Sequence, residues 1–329
     1  MYRVVYFFFY SILMGKIIPN FFQTRLEFFQ NLGIVTTIQS LLILYSWGSP
    51  GYRILIEKIL VNTGNISFLS EKRPPGFMNS AGAGASVILG VGATVLFYLV
   101  FYSNLNKNKK LINFFMYVLN MIAVFIVGRT GLFMAIALQF SILMQVLLNK
   151  NYAKKFVYTL PLVFIAIGYS FFTLFNKFPD QVKLKLEWIT KEFNSGFMSG
   201  QTATALRDMT IKPLSFETLI GTSKIRLPDG NHDSGYIQNY HSMGLIISLL
   251  FYLLVLFYLS YLYRLNLDKE FKQRNFFFIL TLICSLFIIE IKEPFIFYYF
   301  YPMFIVSYLS FNEKEDVYGK NIKYNYSNL

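Results

Sequence analysis

The stretch LINFFMYVLNMIAVFIVGRTGLFMAIALQFSILMQVLLNK, residues 111–150, decides how the chain is read. It holds two apolar runs, 111–128 and 130–148, parted only by the turn Gly128-Arg129-Thr130-Gly131. A helix needs about 20 mostly apolar residues to cross the hydrocarbon core of a bilayer, and each run is close to that length. Lipid offers backbone groups no hydrogen-bond partner, so such a run crosses only as a helix. Lys107, Lys109 and Lys110 precede the pair, and Lys150, Lys154 and Lys155 follow it. Two spans separate these clusters, so both belong in the cytoplasm and the GRTG turn faces out.

Composition extends this reading to the whole chain. Of 329 residues, 55% are hydrophobic, 19% aromatic and only 14% charged, where soluble domains carry about 25% charged residues. Mean hydropathy is +0.47. So few charges cannot cover so much apolar surface in water. A cytosolic enzyme, a disordered tail and a secreted disulfide scaffold are therefore excluded, and a polytopic membrane protein remains. The net charge of +13 would suggest nucleic acid in a soluble protein. Here the basic residues sit in short polar gaps between apolar runs, so they write topology and no nucleic-acid partner is expected. Cys284, the single cysteine, lies inside an apolar run; it allows no disulfide within the chain and no cysteine metal site. The N-terminal Met-Tyr-Arg leads into an apolar run without a small-residue cleavage site and reads as a retained helix.

Nine spans are expected, at about 2–18, 32–47, 80–102, 111–128, 130–148, 156–176, 236–263, 276–291 and 294–311. Together they form one transmembrane domain over 1–329. The outer loop 48–79 contains YRILIEKILV (52–61), too short and too charged to span, which reads as a surface or re-entrant helix. The large outward-facing loop is 177–235; its part 179–198 alternates apolar and charged residues as a membrane-surface helix does. The gap 264–275, with Arg264, Lys269, Lys272 and Arg274, and the tail 312–329 fall in the cytoplasm, and the tight turn Ile291-Lys292-Glu293-Pro294 falls outside. Counting back puts Met1 on the outer face.

Several site types are missing from the sequence. Gly82, Gly84, Gly90 and Gly92 lack the lysine of a phosphate-binding loop and fit close helix packing instead. The two histidines, His232 and His241, have no ligand-spaced Cys or Glu and make a poor zinc site. No GxSxG elbow is present. What remains is polar residues that the expected topology brings to the outer face: Arg73, Arg129, Arg207, Arg226, His232, Asp233, Tyr236, His241 and Lys292. Arginine grips phosphate or carboxylate at two points, and a carboxylate beside it can deprotonate a hydroxyl. A lipid pyrophosphate carrying a sugar would need both functions. Each residue also has a plain structural reading. Arg129 can end a hairpin and snorkel, Arg73 can anchor at the interface, and Arg207 and Arg226 can be solvated surface charge. Asp233 can cap the helix near Tyr236, and His241 can be a hydrogen-bonded core histidine.

Taken in order, RPPGFMNSAGAGAS (73–86), GRTGL (128–132), the outer loop with Arg207, LIGTSK…GNHDSGYIQNYHSMGLIISLLFYL (219–253) and IKEPFIFYY (291–299) resemble the O-antigen and capsule repeat-unit polymerases, the Wzy-like family. That family shares an architecture with the O-antigen ligases, and the resemblance covers most of 70–310. It implies an all-α, glycosyltransferase-C-like fold in the bacterial plasma (inner) membrane with its active site on the periplasmic face. The implied activity is transfer of an undecaprenyl-pyrophosphate-linked glycan to another lipid-linked repeat unit. On this resemblance Arg207 holds the donor pyrophosphate as leaving group, and Arg73 or Arg129 binds the second pyrophosphate or the sugar. Asp233 or His232 orients or deprotonates the acceptor hydroxyl. No cofactor and no metal are implied; the partners are the lipid-linked oligosaccharide, membrane lipids, a chain-length regulator and a flippase. The chain departs from the family pattern in a shorter N-terminus and in Ser223, where the family has its second glycine. The ligase, which usually carries His-Asn at the place of His232-Asp233, is the nearest alternative. A lipid-linked-sugar flippase is the next, and it predicts charges inside spans and inverted repeats.

Overall fold

The structure is a computed structural model that describes residues 2–62, 82–103, 105–148, 211, 213–222, 234–267, 269–297 and 300–311, with scattered residues between 165 and 187. It is all-helical, with no strand among the described residues. The helices are α1 (Tyr2–Phe21), α2 (Arg25–Gly48), α3 (Pro50–Asn62), α4 (Ala83–Phe101), α5 (Lys107–Val127), α6 (Arg129–Leu148), α7 (Phe216–Ile220), α8 (Gly235–Asn266), α9 (Lys269–Arg274), α10 (Phe276–Glu290) and α11 (Phe300–Ser310), with a 3-10 turn at Phe295–Phe297. Five of them, α2, α4, α5, α6 and α8, are long and apolar enough to cross a membrane.

Several expected boundaries move. The span read from residue 32 starts at Arg25, because Thr24 and Glu27 form a helix start: Glu27 N–H donates to Thr24 Oγ1 at 3.1 Å and Gln23 N–H donates to Glu27 Oε2 at 2.8 Å. The GRTG turn shrinks to Gly128 alone, in extended backbone (φ −177°, ψ 151°), and Arg129 is already the first residue of α6. The span read at 294–311 opens with a turn and the 3-10 segment, so its α-helix runs only from Phe300 to Ser310. The stretch read as a surface or re-entrant helix is helical over Pro50–Asn62, with Pro50 at its first position, where the missing N–H costs nothing. Of the span read at 156–176, only six residues are described: Ile165, Gly168, Tyr169, Phe172, Thr173 and Asn176, all helical and exposed. The surface helix read at 179–198 also lies almost wholly outside the described residues.

The chain divides into two compact units: residues 1–29, 212–228 and 235–329 form the first, and 30–211 with 229–234 the second. In the second unit α4 lies against both α5 and α6 and is buried along nearly its whole length. Its small residues make this possible. A Cβ on Gly90 would lie 2.6 Å from Gly131 O, one on Gly92 would run into Thr36 of α2, and one on Gly131 would run into the backbone of Ser86. Gly90 and Gly92 inside α4, with Gly131 of α6, are therefore packing devices, as small residues commonly are between helices in lipid. Interhelical polar bonds add to it: Asn120 Nδ2 donates to Thr37 Oγ1 at 2.8 Å, Tyr117 O–H to Gln139 Oε1 at 2.9 Å, and Gly131 N–H to Ser86 Oγ at 3.0 Å.

Aromatic rings fill the first unit. Phe29 stacks on Phe304 and Tyr308 with centroids 6.1 and 5.7 Å away, and Phe251 stacks on Phe297 at 5.2 Å. Arg25, 3% exposed, ties off the carboxyl end of α11. Its Nη2 donates to Phe311 O at 3.0 Å and its Nε to Tyr308 O at 3.3 Å, and its guanidinium lies 4.2 Å over the Phe271 ring. A cation at free helix carbonyls meets the negative end of the dipole, and ring faces replace part of its hydration. This contact also gathers the start of α2, α9 and the end of α11 at one end of the unit.

Candidate functional site

The residues of chemical interest in the first unit converge on the start of α8. Its first nine residues, GYIQNYHSM (235–243), are polar on more than one face; the residues after Gly244 turn strongly apolar. The helix breaks between these halves: Gly244 adopts φ 80°, ψ 165°, a region open essentially to glycine alone. A break in a helix leaves carbonyls without their amide partners, a severe cost in lipid unless protein supplies donors. Thr222 supplies them. Its backbone N–H and its Oγ1 both donate to His241 O, each at 3.0 Å. Thr222 reaches that carbonyl because Gly221, at φ 95°, ψ 154°, lets two backbones touch. A Cβ on Gly221 would collide with Met243 C, and one on Gly244 would collide with Ile220 C and Leu219 O. The approach is fixed from the other side by the short helix α7. Ser215 Oγ accepts from Thr218 N–H at 3.3 Å while Thr218 Oγ1 accepts from Ser215 N–H at 2.7 Å, a reciprocal cap.

Beside the start of α8 lies an acid at the end of an otherwise apolar helix. Glu290 closes α10 and is 0% exposed. Its Oε2 accepts from Ile296 N–H at 2.9 Å, and its Oε1 accepts from Tyr252 O–H at 3.2 Å. Tyr252 O in turn accepts from Asn239 Nδ2 at 2.6 Å. Gly235, the first residue of α8, rests on the carboxylate: a Cβ there would collide with Glu290 Oε1 and lie 2.7 Å from Pro294 Cα. Tyr236 O–H donates to Phe287 O at 2.9 Å, one turn before the acid. The result is a buried carboxylate held by donors, bordered by the half-helix 235–243 and by the turn 291–297.

Of the residues singled out in the sequence, Tyr236, His241 and Lys292 belong to this arrangement. Tyr236 is half-buried and His241 buried, both on the first half of α8. Lys292 is half-buried on the turn that Glu290 closes, its N–H donating to Ile289 O at 3.0 Å. Arg129 lies in the other unit, half-buried at the first position of α6. That is the positive end of the helix dipole, where a guanidinium gains nothing from the helix itself. Arg73, Arg207, Arg226, His232 and Asp233 lie outside the described residues. Among the described residues no group of three His, Cys, Asp or Glu side chains could hold a metal ion.

Glu290, Tyr252 and Asn239 escaped the sequence reading. The signal for Glu290 was available: an acid at the end of FFFILTLICSLFIIE, inside membrane-type sequence, marks a functional site by default. The partners carry no such signal, since Tyr252 is one of 24 tyrosines and its role depends on a helix break.

Compared with protein-family models, with curated proteins and with solved structures, the chain matches none.

Proposed function

We propose that this protein polymerises undecaprenyl-pyrophosphate-linked oligosaccharide repeat units for an O-antigen or capsule, at the outer face of a bacterial plasma membrane. The observation that carries the reading is the contact of residues 219–222 with 241–244, from the two described parts of the 219–250 stretch. That stretch has the most specific likeness to the polymerases, and its described parts meet with Gly221 against Gly244 and Thr222 clamped on His241 O. Broken helices whose polar ends gather beside a buried charge are how membrane proteins expose binding groups at depth.

In the proposed reaction a hydroxyl of the incoming repeat unit attacks the anomeric carbon of the growing glycan. The new glycosidic C–O bond forms, the bond to the pyrophosphate oxygen breaks, and undecaprenyl pyrophosphate leaves with the electron pair. Arg207 takes up the negative charge on the leaving group, an electrostatic role with fixed donors; Asp233 or His232 takes the hydroxyl proton. Arg73 or Arg129 binds the second pyrophosphate or the sugar; Tyr236, His241 and Lys292 are further substrate-binding candidates, and Arg226 is at most a peripheral one.

The test is deletion of the gene in its host, with surface polysaccharide resolved on gels. Loss of the ladder down to core plus a single repeat is the expected outcome. Bare core with accumulated lipid-linked polymer points to the ligase instead, single repeats trapped in the inner leaflet point to a flippase, and an unchanged ladder overturns all three. Arg207→Lys keeps the charge but loses the two-point grip. On complementation it should cut chain extension by about 100-fold, a loss typical of one electrostatic donor, whereas Arg226→Ala should leave ladders nearly intact.

A further inference from the structure

Burying an acid in apolar surroundings carries a large desolvation penalty, so a structure that retains one uses it. We infer that Glu290 is a positioning residue for the transfer step, an inference that rests on the function proposed above. It sets the pose of Tyr236 and Lys292, the two ligand-binding candidates that flank it.

Two features of the geometry point this way. First, Glu290 ties together both halves of the broken helix. Gly235 lies directly on the carboxylate, Asn239 from the first half donates to Tyr252 in the second, and Tyr252 passes a hydrogen bond on to Glu290 Oε1. The relay has one consistent direction, from amide to phenol to carboxylate, as an acceptor-only group at its end requires. It therefore spans the break at Gly244 and fixes how the two half-helices are set against each other. Second, the other oxygen closes the turn after α10 through Ile296 N–H, and Lys292 sits inside that turn. One side chain thus orients the two elements that carry Tyr236 and Lys292, and it is itself fully buried, where no glycan reaches it. Such support is what keeps binding groups within the tight tolerances that transfer chemistry needs.

The experiment uses the full-length chain in the deletion strain, with Glu290→Gln, Glu290→Asp, Tyr252→Phe and Gly235→Ala. Glu290→Gln keeps the volume but faces one donor with another. Polymer per membrane-inserted molecule should fall at least about tenfold for Glu290→Gln and less for Tyr252→Phe, while the unfolding temperature in detergent changes less than activity does. Gly235→Ala, whose Cβ meets Glu290 and the Pro294 backbone, should lower both. With purified protein and a lipid-linked repeat unit as substrate, the loss should appear in KM more than in kcat, because Tyr236 and Lys292 bind rather than react. Glu290→Asp, which keeps the charge, should recover part of the activity. If Glu290→Gln fails to accumulate in the membrane, Tyr252→Phe decides, since it removes one hydroxyl and keeps the ring. Polymer that tracks protein amount one for one across the variants, or a wild-type ladder from Glu290→Gln, overturns the inference and leaves the polymerase reading standing. Failure of the wild-type gene to restore any ladder overturns the polymerase reading, and the inference falls with it.

Discussion

Two sets of glycines, one in each compact unit, serve different ends. In the second unit Gly90, Gly92 and Gly131 lie inside regular helices and serve only to let neighbours approach, so that α4 and α6 touch backbone to backbone at Gly131 and Ser86. In the first unit Gly221 and Gly244 also touch neighbouring backbone, but both sit at positive φ, and one of them interrupts a 32-residue helix. Close packing in lipid stabilises a bundle because dispersion and polar bonds replace the missing hydrophobic force. A break at membrane depth does the reverse: it frees carbonyls and demands a partner such as Thr222. The contacts of Gly90, Gly92 and Gly131 therefore belong to the scaffold, and the strained pair Gly221 and Gly244 marks a place where the fold gives up stability for a shaped polar site.

The sharpest way to break this contrast is at Gly131. A Cβ there meets Ser86 O, Ser86 C and Val87 N, all of them backbone of α4, so no side chain can swing aside. Gly131→Ala must push two helices apart and lose the Gly131 N–H bond to Ser86 Oγ. Overpacking of this kind against backbone should cost about 3 kcal/mol or more, read as a collapse of the unfolding temperature in detergent or of the amount in the membrane. A wild-type unfolding temperature would remove the close approach on which the scaffold half of the comparison depends.

Gly244→Ala comes next. Its backbone lies where a side chain costs about 1–3 kcal/mol, and the new Cβ also meets Ile220 and Leu219 backbone. The expected stability loss is about 2 kcal/mol, smaller than at Gly131 because α7 and Gly221 form a short segment able to shift. Function should suffer more than folding: once Thr222 loses its hold on His241 O, polymer on the gel should vanish while protein persists in the membrane. Equal loss of protein and polymer would make the break a packing feature like the others.

Much of the scaffold could be read from the sequence, and the reasons are local. Long apolar runs allow nothing but helices in lipid, and the small residues before and within α4 announce close packing. Thr24-Arg25-Leu26-Glu27 carries a helix-start signature that moves α2 earlier, legible in principle but masked by its polar character next to an apolar run. The break at Gly244 is invisible to hydropathy because MGLIISLLFYL remains apolar straight through it. Its cause lies 23 residues upstream, in the glycine at 221 that comes to rest on it. Glu290 is legible as an anomaly but not as a centre, since its partners Tyr252 and Ile296, and Asn239 behind Tyr252, come from separate places in the chain. Arg25 illustrates the same limit: a lone arginine at a span entrance looks like an interfacial anchor, and only its reach to Tyr308 and Phe311 makes it a helix cap.

The weakest effect supplies the control for the comparison. Gly51 occupies the second position of α3, is exposed, and a Cβ added to it would meet nothing within 4 Å. Neither reason for a glycine applies there. Gly51→Ala should then only reduce the freedom of the unfolded chain, a gain of about 0.5 kcal/mol, seen as a rise in unfolding temperature of at most a few degrees with the ladder unchanged. If it instead harms folding as Gly131→Ala does, some surface covers α3, and the division of glycines into approach, strain and neither would need redrawing around that contact. If it harms polymer formation alone, α3 belongs with the broken helix, on the functional side of the contrast, despite its regular backbone.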